Sequence, residues 1–303
     1  MTELEVAGRL VPVSSLDRVL WPLTGMTKAD LARYYLSVAS VLLPHLVDRP
    51  LTLRRFPEGV GGPQFFQTRT PPHPPWLRTA TLSYPRTGKT FEAPVIDDLA
   101  GLVWAVNLSA IELHPFLGTV TDLAAPTAMV LDLDPGAPAG LREVATVALL
   151  LRAELEAIGL TGYPKSSGGK GIHVYVPARD ADYGQTKALA RSLAAGLSAE
   201  RPDLVVNRMT KNLRVGRVLV DWSQNDPGKS TVAPWSLRGH PVPTVSEPVT
   251  WREVEQAAAH GQRLPDALAD VGRRLDEHGD LFAPVLTQGQ PLAEALARLR
   301  PTG

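Results

Sequence analysis

The sequence predicts a mixed helix-and-strand protein with a sizeable core. The chain has 303 residues, of which 44% are hydrophobic and 20% are charged, and this composition supports a core and excludes global disorder. Segments with helical spacing and short strand-like segments are mixed along the middle of the chain. At about 100 to 200 residues per domain, the length suggests two lobes or one large α/β-type domain with additions.

Helices are predicted where apolar residues recur at helical spacing behind a capping residue. The first covers residues 27–47 behind the capping sequence TKAD, and Pro44 marks a point where it kinks or ends early. The other predicted helices are residues 141–158 before Gly159, residues 183–200, one capped by residues 250–253, one beginning at Pro265 and one opened by Pro291.

Strands are predicted where apolar and polar residues alternate. These segments are residues 128–134, 172–176 and 217–222. Residues 49–92 include the run PPHPP at 71–75, which predicts surface loops there rather than a disordered linker.

The composition also limits the chemistry of the protein. Cysteine is absent, which excludes disulfides, thiolate nucleophiles, Cys-ligated zinc and iron–sulfur clusters, so any metal must bind oxygen or imidazole. The 31 basic and 31 acidic residues balance, yet residues 49–92 carry seven bases against two acids and residues 208–240 carry six against two. These segments indicate either a track for a polyanion or ordinary surface variation.

A membrane location is not expected from the sequence. The longest apolar run of note, residues 144–151, is far shorter than the roughly 20 residues of a membrane span. The chain starts with MTELEV, which has acids where a signal peptide has bases. We therefore expect a cytoplasmic enzyme or binding protein.

An acidic strand, MVLDLDPG at residues 129–136, is the first candidate site. Residues i and i+2 of a strand share a face about 6.6 Å apart, so Asp132 and Asp134 point together. Their repulsion is about 3 kcal/mol at an effective dielectric of 20, a cost that a bound cation or a shared proton would relieve. Oxygen ligands favour Mg²⁺ or Mn²⁺, although the same residues also suit a plain turn.

A third aspartate, Asp221, interrupts the apolar strand RVLVDW at residues 217–222. An acid in such a strand should be paired or metal-bound. Three strand-borne aspartates are what a two-metal phosphoryl-transfer site requires.

A glycine-rich loop, KSSGGKG at residues 165–171, leads directly into a predicted strand. Its backbone N–H groups, the Ser167 hydroxyl and the Lys170 ammonium suit a triphosphate, although a turn without a ligand is the alternative. The spacing matches neither a Walker A loop nor a dinucleotide-binding fingerprint. His173 follows on the strand, where it is either structural or a phosphate contact, and Arg214, Gln224 and Arg238 lie in the second basic segment.

With these motifs in place, the chain resembles the polymerase domain of bacterial DNA ligase D, a branch of the archaeo-eukaryotic primase superfamily. The resemblance runs in order from about residue 15 to residue 255. The matching stretches are LDLDPG at 131–136, SSGGKGIHV at 166–174, VDWSQN at 220–225, STVAPWSLRG at 230–239, LWP at 20–22, TKAD at 27–30, GPQFFQ at 62–67, WAV at 104–106 and ELH at 112–114.

The resemblance implies an α+β fold, with a primase-polymerase type catalytic sheet flanked by helices and a smaller N-terminal mixed subregion. It divides a single domain into a DNA-contacting part (1–125), a catalytic core (126–245) and a helical extension (246–303). It implies that two ions, Mn²⁺ or Mg²⁺, are bound by Asp132, Asp134 and Asp221. The residues implied to engage the incoming nucleotide are Ser167, Lys170, His173, His114, Arg55, Arg214, Gln224 and Arg238.

The resemblance also implies contacts to DNA. A lysine at the position of Lys28 helps to hold the 5′-phosphate of a downstream strand, and a phenylalanine of the Phe65–Phe66 pair stacks on the template. The family usually has a second phosphate-binding lysine where this chain has Arg18, which keeps the charge but changes the geometry.

The expected function is therefore template-directed extension of DNA primers with NTPs or dNTPs, at gaps and double-strand breaks in repair of the non-homologous end-joining type. Expected partners are gapped, 5′-phosphorylated or broken DNA, and possible partners are the end-binding protein Ku and a separate DNA ligase, because a chain ending at residue 303 leaves no room for a ligase module. The alternatives are a primase, a metal-dependent glycosyltransferase with an Asp-x-Asp site, and a non-catalytic DNA-end-binding module.

Overall fold

The computed structural model describes residues 2–83 and 87–299, so Arg86 of the first basic segment lies outside the described residues. The chain forms two compact units. The first comprises the described residues up to 121 together with residues 230–246 and 267–272. The second comprises residues 122–229 and 247–266 and the described residues from 273 onward.

Strands and helices follow one another along both units. The strands are β1 (Thr2–Val6), β2 (Arg9–Val13), β3 (Val19–Trp21), β4 (Met26–Thr27), β5 (Leu51–Arg55), β6 (Phe65–Gln67), β7 (Thr79–Ser83), β8 (Thr90–Pro94), β9 (Ala110–Pro115), β10 (Ala128–Pro135), β11 (Tyr163–Ser166), β12 (Ile172–Arg179), β13 (Val205–Val206), β14 (Val218–Asp221), β15 (Leu237–Arg238), β16 (Thr244–Val245) and β17 (Gln290–Pro291). The α-helices are α1 (Lys28–Ser37), α2 (Ala39–Leu42), α3 (Leu99–Asn107), α4 (Leu141–Ala157), α5 (Tyr183–Glu200), α6 (Trp251–His260), α7 (Val271–His278), α8 (Ala283–Thr287) and α9 (Leu292–Leu299), and 3₁₀ turns cover Leu43–His45, Lys211–Arg214 and Leu268–Asp270.

A mixed six-stranded sheet is the centre of the second unit. Its strand order is β11-β12-β10-β14-β13, and β17 pairs with β12. The pairs β13–β14 and β12–β17 are parallel, and the other pairs are antiparallel. Met129, Leu131 and Leu133 of β10 belong to one buried apolar cluster with side chains of α4 and α5. The alternation predicted for this strand is confirmed, and its other face carries the acids.

A buried ion pair joins two segments of the second unit beside this sheet. Arg274 Nε lies 2.7 Å from Glu247 Oε1, and neither side chain is more than 7% exposed. The backbone carbonyl of Glu247 accepts a hydrogen bond from the Ser166 N–H at 2.7 Å. The backbone of Glu247 therefore contacts the first residues of the glycine-rich loop directly.

The first unit is built on the three-stranded antiparallel sheet β6-β5-β9. The same unit also contains four two-stranded antiparallel sheets, β1–β2, β3–β4, β7–β8 and β15–β16. Leu51, Leu53 and Leu113 of the three-stranded sheet are buried. The sheet places alternate residues of β5 and β9 on its other face, where the charged residues of this unit gather.

Four of the six predicted helices lie at their observed positions. Helices α4, α5, α6 and α9 begin within one residue of their predicted starts, and the capping boxes of α1 and α6 are present. The single helix predicted over residues 27–47 is wrong, because Val38 leaves the helical conformation (φ −100°, ψ 5°) and Pro44, which lacks an N–H, sits in a 3₁₀ turn. The helix predicted from Pro265 begins only at Val271, behind a 3₁₀ turn.

The sequence predicted surface loops over residues 49–92, but β5, β6 and β7 lie within this range and β8 begins in it. The proline-rich run separates β6 from β7, and each strand is short enough to fit between turn-forming residues. Across residues 2–83 and 87–299, every helix is too short or too polar to cross a lipid bilayer.

Candidate functional site

Three of the predicted site residues lie in one row across the six-stranded sheet. Asp132 of β10 is the direct partner of Asp221 on β14 and of His173 on β12. Directly opposed residues of antiparallel strands share a face and lie about 4.5 to 5.5 Å apart. Asp134 lies two residues further along β10 and therefore on the same face. The two acids of β10 and the acid of β14 thus gather on the side of the sheet away from its core.

Polar N–H groups surround these carboxylates. The Gln224 amide donates to Asp221 Oδ2 at 3.2 Å and, over a longer 3.5 Å, to Asp132 Oδ2. The Ser223 N–H donates to Asp221 Oδ1 at 2.8 Å, and His173 Nε2 lies 3.3 Å from Asp132 Oδ1. These contacts reduce the repulsion between two carboxylates whose side chains are mostly buried.

Asn225 was not predicted as a site residue, although it holds Gln224 in place. It is fully buried, its Oδ1 accepts from the Val130 N–H at 2.8 Å, and its Nδ2 donates to the Val130 carbonyl at 2.7 Å. The turn after β14 is thereby fastened to β10. A buried-type asparagine directly after the predicted Gln224 is the signal in the sequence that could have indicated this role.

The glycine-rich loop connects β11 to β12 and approaches Asp134. The Ser167 N–H donates to the Gly171 carbonyl at 3.0 Å, and the Gly171 N–H donates to Ser167 Oγ at 3.1 Å. A Cβ at Gly171 would lie 2.7 Å from the Leu133 carbonyl oxygen and 3.2 Å from Asp134 Oδ1. Only glycine lets the loop come this close to the acidic strand. Lys170 is exposed in the loop.

Arg214 lies beside the same, C-terminal end of the acidic strand. Its Nη2 is 3.7 Å from Asp134 Oδ2. A Cβ at Gly136 would lie 1.8 Å from the Arg214 carbonyl oxygen, so the turn after β10 requires glycine to let the segment with Arg214 pass. The second unit therefore brings together Asp132, Asp134, Asp221, Ser167, His173, Arg214 and Gln224 of the predicted site.

The first unit holds a charged cluster centred on Glu112 of β9. Glu112 is fully buried, and its Oε1 lies 2.8 Å from Arg54 Nη1 and 3.5 Å from Arg238 Nε. His114 Nε2 lies 2.9 Å from its Oε2, and the Gly239 N–H donates to its Oε1 at 3.0 Å. The predicted residues His114 and Arg238 thus share one carboxylate, which the sequence reasoning missed. The signal was an acid two residues before His114 in the strand AIELHP, whose other residues are apolar.

The two titratable members of this cluster shift each other. Burial alone would raise the pKa of Glu112, but the hydrogen bond from His114 and the charge of Arg238 outweigh it and lower that pKa to about 2. Burial, with the charges of Arg238 and Arg54, lowers the pKa of His114 against the opposite effect of Glu112. Glu112 is therefore ionised at neutral pH.

Two exposed phenylalanines lie beside these cations. Phe66 is 61% exposed and Phe65 is 44% exposed. The Arg54 guanidinium lies 5.3 Å from the Phe66 ring and the Arg55 guanidinium 5.3 Å from the Phe65 ring. The Phe66 ring also meets His114 edge to face, with centroids 5.5 Å apart. Exposed rings backed by arginines suit the stacking of nucleic-acid bases.

Lys28 and Arg18 differ in exposure. Arg18 is exposed and donates to the Pro57 carbonyl. Lys28 is buried, and its Nζ donates to the Ser14 carbonyl at 2.9 Å and to the Asn107 carbonyl at 2.7 Å. Burial, with the charges of Arg18 and Arg55, lowers the pKa of Lys28 to about 8.

The donor chemistry of the acidic row suits the expected ions. Asp132 and Asp221 are adjacent on paired strands and offer the hard oxygen ligands that Mg²⁺ and Mn²⁺ prefer. Among residues 2–83 and 87–299, however, no group of three or more His, Asp or Glu side chains is arranged to hold a metal ion as it stands. The complete ligand set of Asp132, Asp134 and Asp221 therefore stays a prediction.

Comparisons with known proteins extend the resemblance over nearly the whole chain. The family model described as "LigD, primase-polymerase domain" matches residues 27–282. The chain is 38% identical over 294 residues to the multifunctional non-homologous end joining protein LigD of Mycolicibacterium smegmatis, which covers 96% of this chain and 38% of that protein. It is 30% identical over 292 residues to the bifunctional non-homologous end joining protein LigD of Bacillus subtilis, with 95% and 46% covered. The chain thus spans less than half the length of these curated relatives.

A solved structure gives the same result for the fold. The polymerase domain from Mycobacterium tuberculosis ligase D, in complex with DNA, matches with a TM-score of 0.84 and 37% identity, covering 92% of this chain and 99% of that chain. The predicted α+β fold and the predicted family resemblance are both confirmed.

Proposed function

The chain belongs to the LigD primase-polymerase family, a family of nucleotidyltransferases, and from this premise we propose that it extends the 3′-hydroxyl of DNA primers under the direction of a template. The substrates are NTPs or dNTPs, and the sites of action are gaps and double-strand breaks. Two kinds of relative support the proposal: proteins named for non-homologous end joining and a polymerase domain solved with DNA.

The row of Asp132, Asp221 and His173, with Asp134 beside the glycine-rich loop, carries the proposal. Phosphoryl transfer needs carboxylates next to a site for phosphates. Here the row supplies the carboxylates, and the neighbouring glycine-rich loop would supply the phosphate site. When bound by Asp132, Asp134 and Asp221, two Mg²⁺ or Mn²⁺ ions would supply the Lewis acidity that activates the primer hydroxyl and stabilises the leaving diphosphate.

The other residues of the second unit would bind the nucleotide. The N–H groups of the loop, the Ser167 hydroxyl and the exposed Lys170 ammonium suit phosphate oxygens. Arg214 adds a planar guanidinium near Asp134. Gln224 and His173 orient the carboxylates that they contact. The side chain of each of these residues therefore has a task that does not depend on reading a base.

The first unit would add contacts to phosphate and to DNA. His114, Arg55 and Arg238 are the cations or donors that we assign to the phosphates of the incoming nucleotide. Phe65 and Phe66 would stack on template bases, since their rings are exposed and backed by guanidinium groups.

A downstream 5′-phosphate would meet Lys28 and Arg18. The Lys28 ammonium makes its longest contact, 3.3 Å, with the Asn107 side chain, and a phosphate would replace that contact. Further proposed partners are Ku and a separate DNA ligase, which would act on the same broken ends. Stimulation of extension by added Ku would test this part of the proposal.

A primer-extension assay tests the main proposal. The substrate is a gapped duplex with a 5′-phosphate, supplied with NTPs and dNTPs in parallel and with Mn²⁺ or Mg²⁺. We expect Asp132→Ala and Asp134→Ala to abolish extension while DNA binding is kept. The matched control is Asp203→Ala, which removes an exposed acid paired with Arg201.

Two outcomes would contradict the proposal. One is extension close to the wild-type rate by either variant in Mn²⁺. The other is a wild-type protein that binds DNA but incorporates no nucleotide with either metal, which would favour the end-binding module. A parallel reaction with a sugar nucleotide and an acceptor tests the glycosyltransferase alternative.

A further inference from the structure

Glu112 is the shared partner of hydrogen-bond donors and of a further cation, Arg238, in the first unit. Its carboxylate receives the Gly239 N–H at 3.0 Å and the Arg54 guanidinium at 2.8 Å. His114 Nε2 and Arg238 Nε lie at 2.9 Å and 3.5 Å. These hydrogen-bonding and ion-pairing groups come from three strands and from the residue after β15, so one side chain contacts groups that are far apart in the sequence.

The hydrogen bond to Glu112 determines which ring nitrogen of His114 carries a proton. An ionised carboxylate only accepts hydrogen bonds, so His114 must carry a proton on Nε2 where it faces Glu112. The contact therefore sets both the tautomer and the plane of the His114 ring. The edge-to-face contact with Phe66 limits the same ring from another side.

The members of the cluster differ in how far their side chains are exposed to solvent. The Glu112 side chain is 0% exposed, whereas the side chains of Arg54 and Arg238 are 23% and 17% exposed. One negative charge lies beneath two positive charges, so the cluster keeps a net positive charge on its accessible side. Because the cluster stays positively charged, the role of Glu112 is not to neutralise the charge of the two arginines.

We propose that Glu112 is a positioning residue that holds His114, Arg238 and Arg54 in the orientation that receives the phosphates of the incoming nucleotide. The inference rests on the proposed function, because the phosphates belong to a nucleoside triphosphate only if the protein is a polymerase. Glu112 itself touches no substrate. Its effect passes through the side chains that it orients, and through Arg54 it also reaches the Phe66 ring.

The variant Glu112→Gln separates orientation from charge. It keeps the size of the side chain but removes one negative charge, so long-range electrostatics alone would tighten the binding of a triphosphate. Loss of orientation has the opposite effect. Hydrogen bonds to charged groups have strengths that correspond to about 10- to 100-fold in affinity, and we expect the KM for ATP to rise by about this factor while kcat stays within about threefold.

Two further variants complete the design. Glu112→Asp keeps the charge but shortens the side chain, so it should also raise KM, and it serves if Glu112→Gln does not fold. Glu5→Gln, an exposed glutamate on β1, is the control and should leave KM unchanged. The ¹⁵N signal of His114 Nε2 should change in both Glu112 variants, which a purely structural role for Glu112 does not require.

Dissociation constants for ATP with Mn²⁺, measured calorimetrically without DNA, keep the two proposals apart. If the wild-type protein binds ATP but extends no primer, the proposed function fails, and the affinities still decide the role of Glu112. Weaker ATP binding by both Glu112 variants supports the inference. Unchanged or tighter binding overturns it, whether or not the melting temperature falls, and so does a loss of kcat at unchanged KM.

Discussion

The opposed carboxylates of β10 and β14 predict that one substitution in the proposed site stabilises the protein while it removes activity. The substitution is Asp132→Asn, which keeps the shape of the side chain and removes its charge. Asp132 and Asp221 are direct partners across the sheet, and their side chains are mostly buried. Their repulsion is therefore a cost of folding that the wild-type chain bears whenever no cation is bound.

The register gives the size of the effect. At about 5 Å, the spacing of opposed residues, two unit charges at an effective dielectric of 20 repel by about 3 kcal/mol. The Gln224 amide and the His173 imidazole already offset part of this, so a net gain of about 1 to 2 kcal/mol remains. For a protein of this size, each kcal/mol corresponds to about 2 to 4 °C in melting temperature.

Thermal unfolding with EDTA and with Mn²⁺ measures the effect. In EDTA, Asp132→Asn should melt a few degrees above the wild type, and Asp203→Asn, an exposed control, should melt with the wild type. Mn²⁺ should raise the melting temperature of the wild type more than that of Asp132→Asn, because a ligand stabilises only the state that binds it. A lower melting temperature of Asp132→Asn in EDTA, or equal stabilisation of both proteins by Mn²⁺, would refute the reasoning.

Three other substitutions or conditions test neighbouring features. Gly171→Ala brings a Cβ to 2.7 Å from a backbone carbonyl of β10. It should lower the free energy of unfolding in urea by about 1 to 3 kcal/mol and slow primer extension at limiting nucleotide. The control Gly196→Ala, at a position with open space around it, should have neither effect. The preference for binding 5′-phosphorylated over 5′-hydroxyl DNA should fall as pH rises through about 8, the lowered pKa of Lys28, because the Lys28 side chain is a charged ammonium only below that pH. Fluorescence anisotropy of the two labelled DNAs between pH 6.5 and 9.5 measures the preference. A preference that stays constant over this range contradicts the prediction. Arg274→Met leaves the buried Glu247 without its cation and should lower the free energy of unfolding in urea by about 3 to 5 kcal/mol. The control Arg273→Met, at the exposed neighbouring position, should lower it far less.

Helices with a capping residue and regular apolar spacing were predicted from the sequence. Helix α5 spans Tyr183–Glu200 as predicted, and Asp182 and Gln185 form its capping box. The break at Val38 could not be predicted, because Leu42, at the end of α2, and Leu46, directly after the 3₁₀ turn, continue the helical spacing and are buried. Helix α3 (Leu99–Asn107) was missed because nearly all of its side chains are apolar, so no polar face marks its period.

The site was predictable only as far as single strands allow. Alternation within β10 indicates that Asp132 and Asp134 share a face, because the period of a strand is local. The pairing of Asp132 with Asp221 depends instead on the register of strands 89 positions apart in the chain, which no local pattern specifies. Glu112 was overlooked for the same reason: its donors Arg54 and Gly239 are brought to it by the fold of the first unit.

The position of the acidic row within the second unit explains how the chain tolerates it. Each acid of β10 alternates with a residue of the buried cluster that also holds Val144 and Leu151 of α4. Full burial of one such aliphatic side chain contributes about 1.5 to 3 kcal/mol, as much as the repulsion that remains between Asp132 and Asp221. Only Asp132 lies directly opposite Asp221, because Asp134 is paired with Leu219. The sheet therefore confines the acids to one register, and the stability needed to keep them there comes from the side chains that alternate with them.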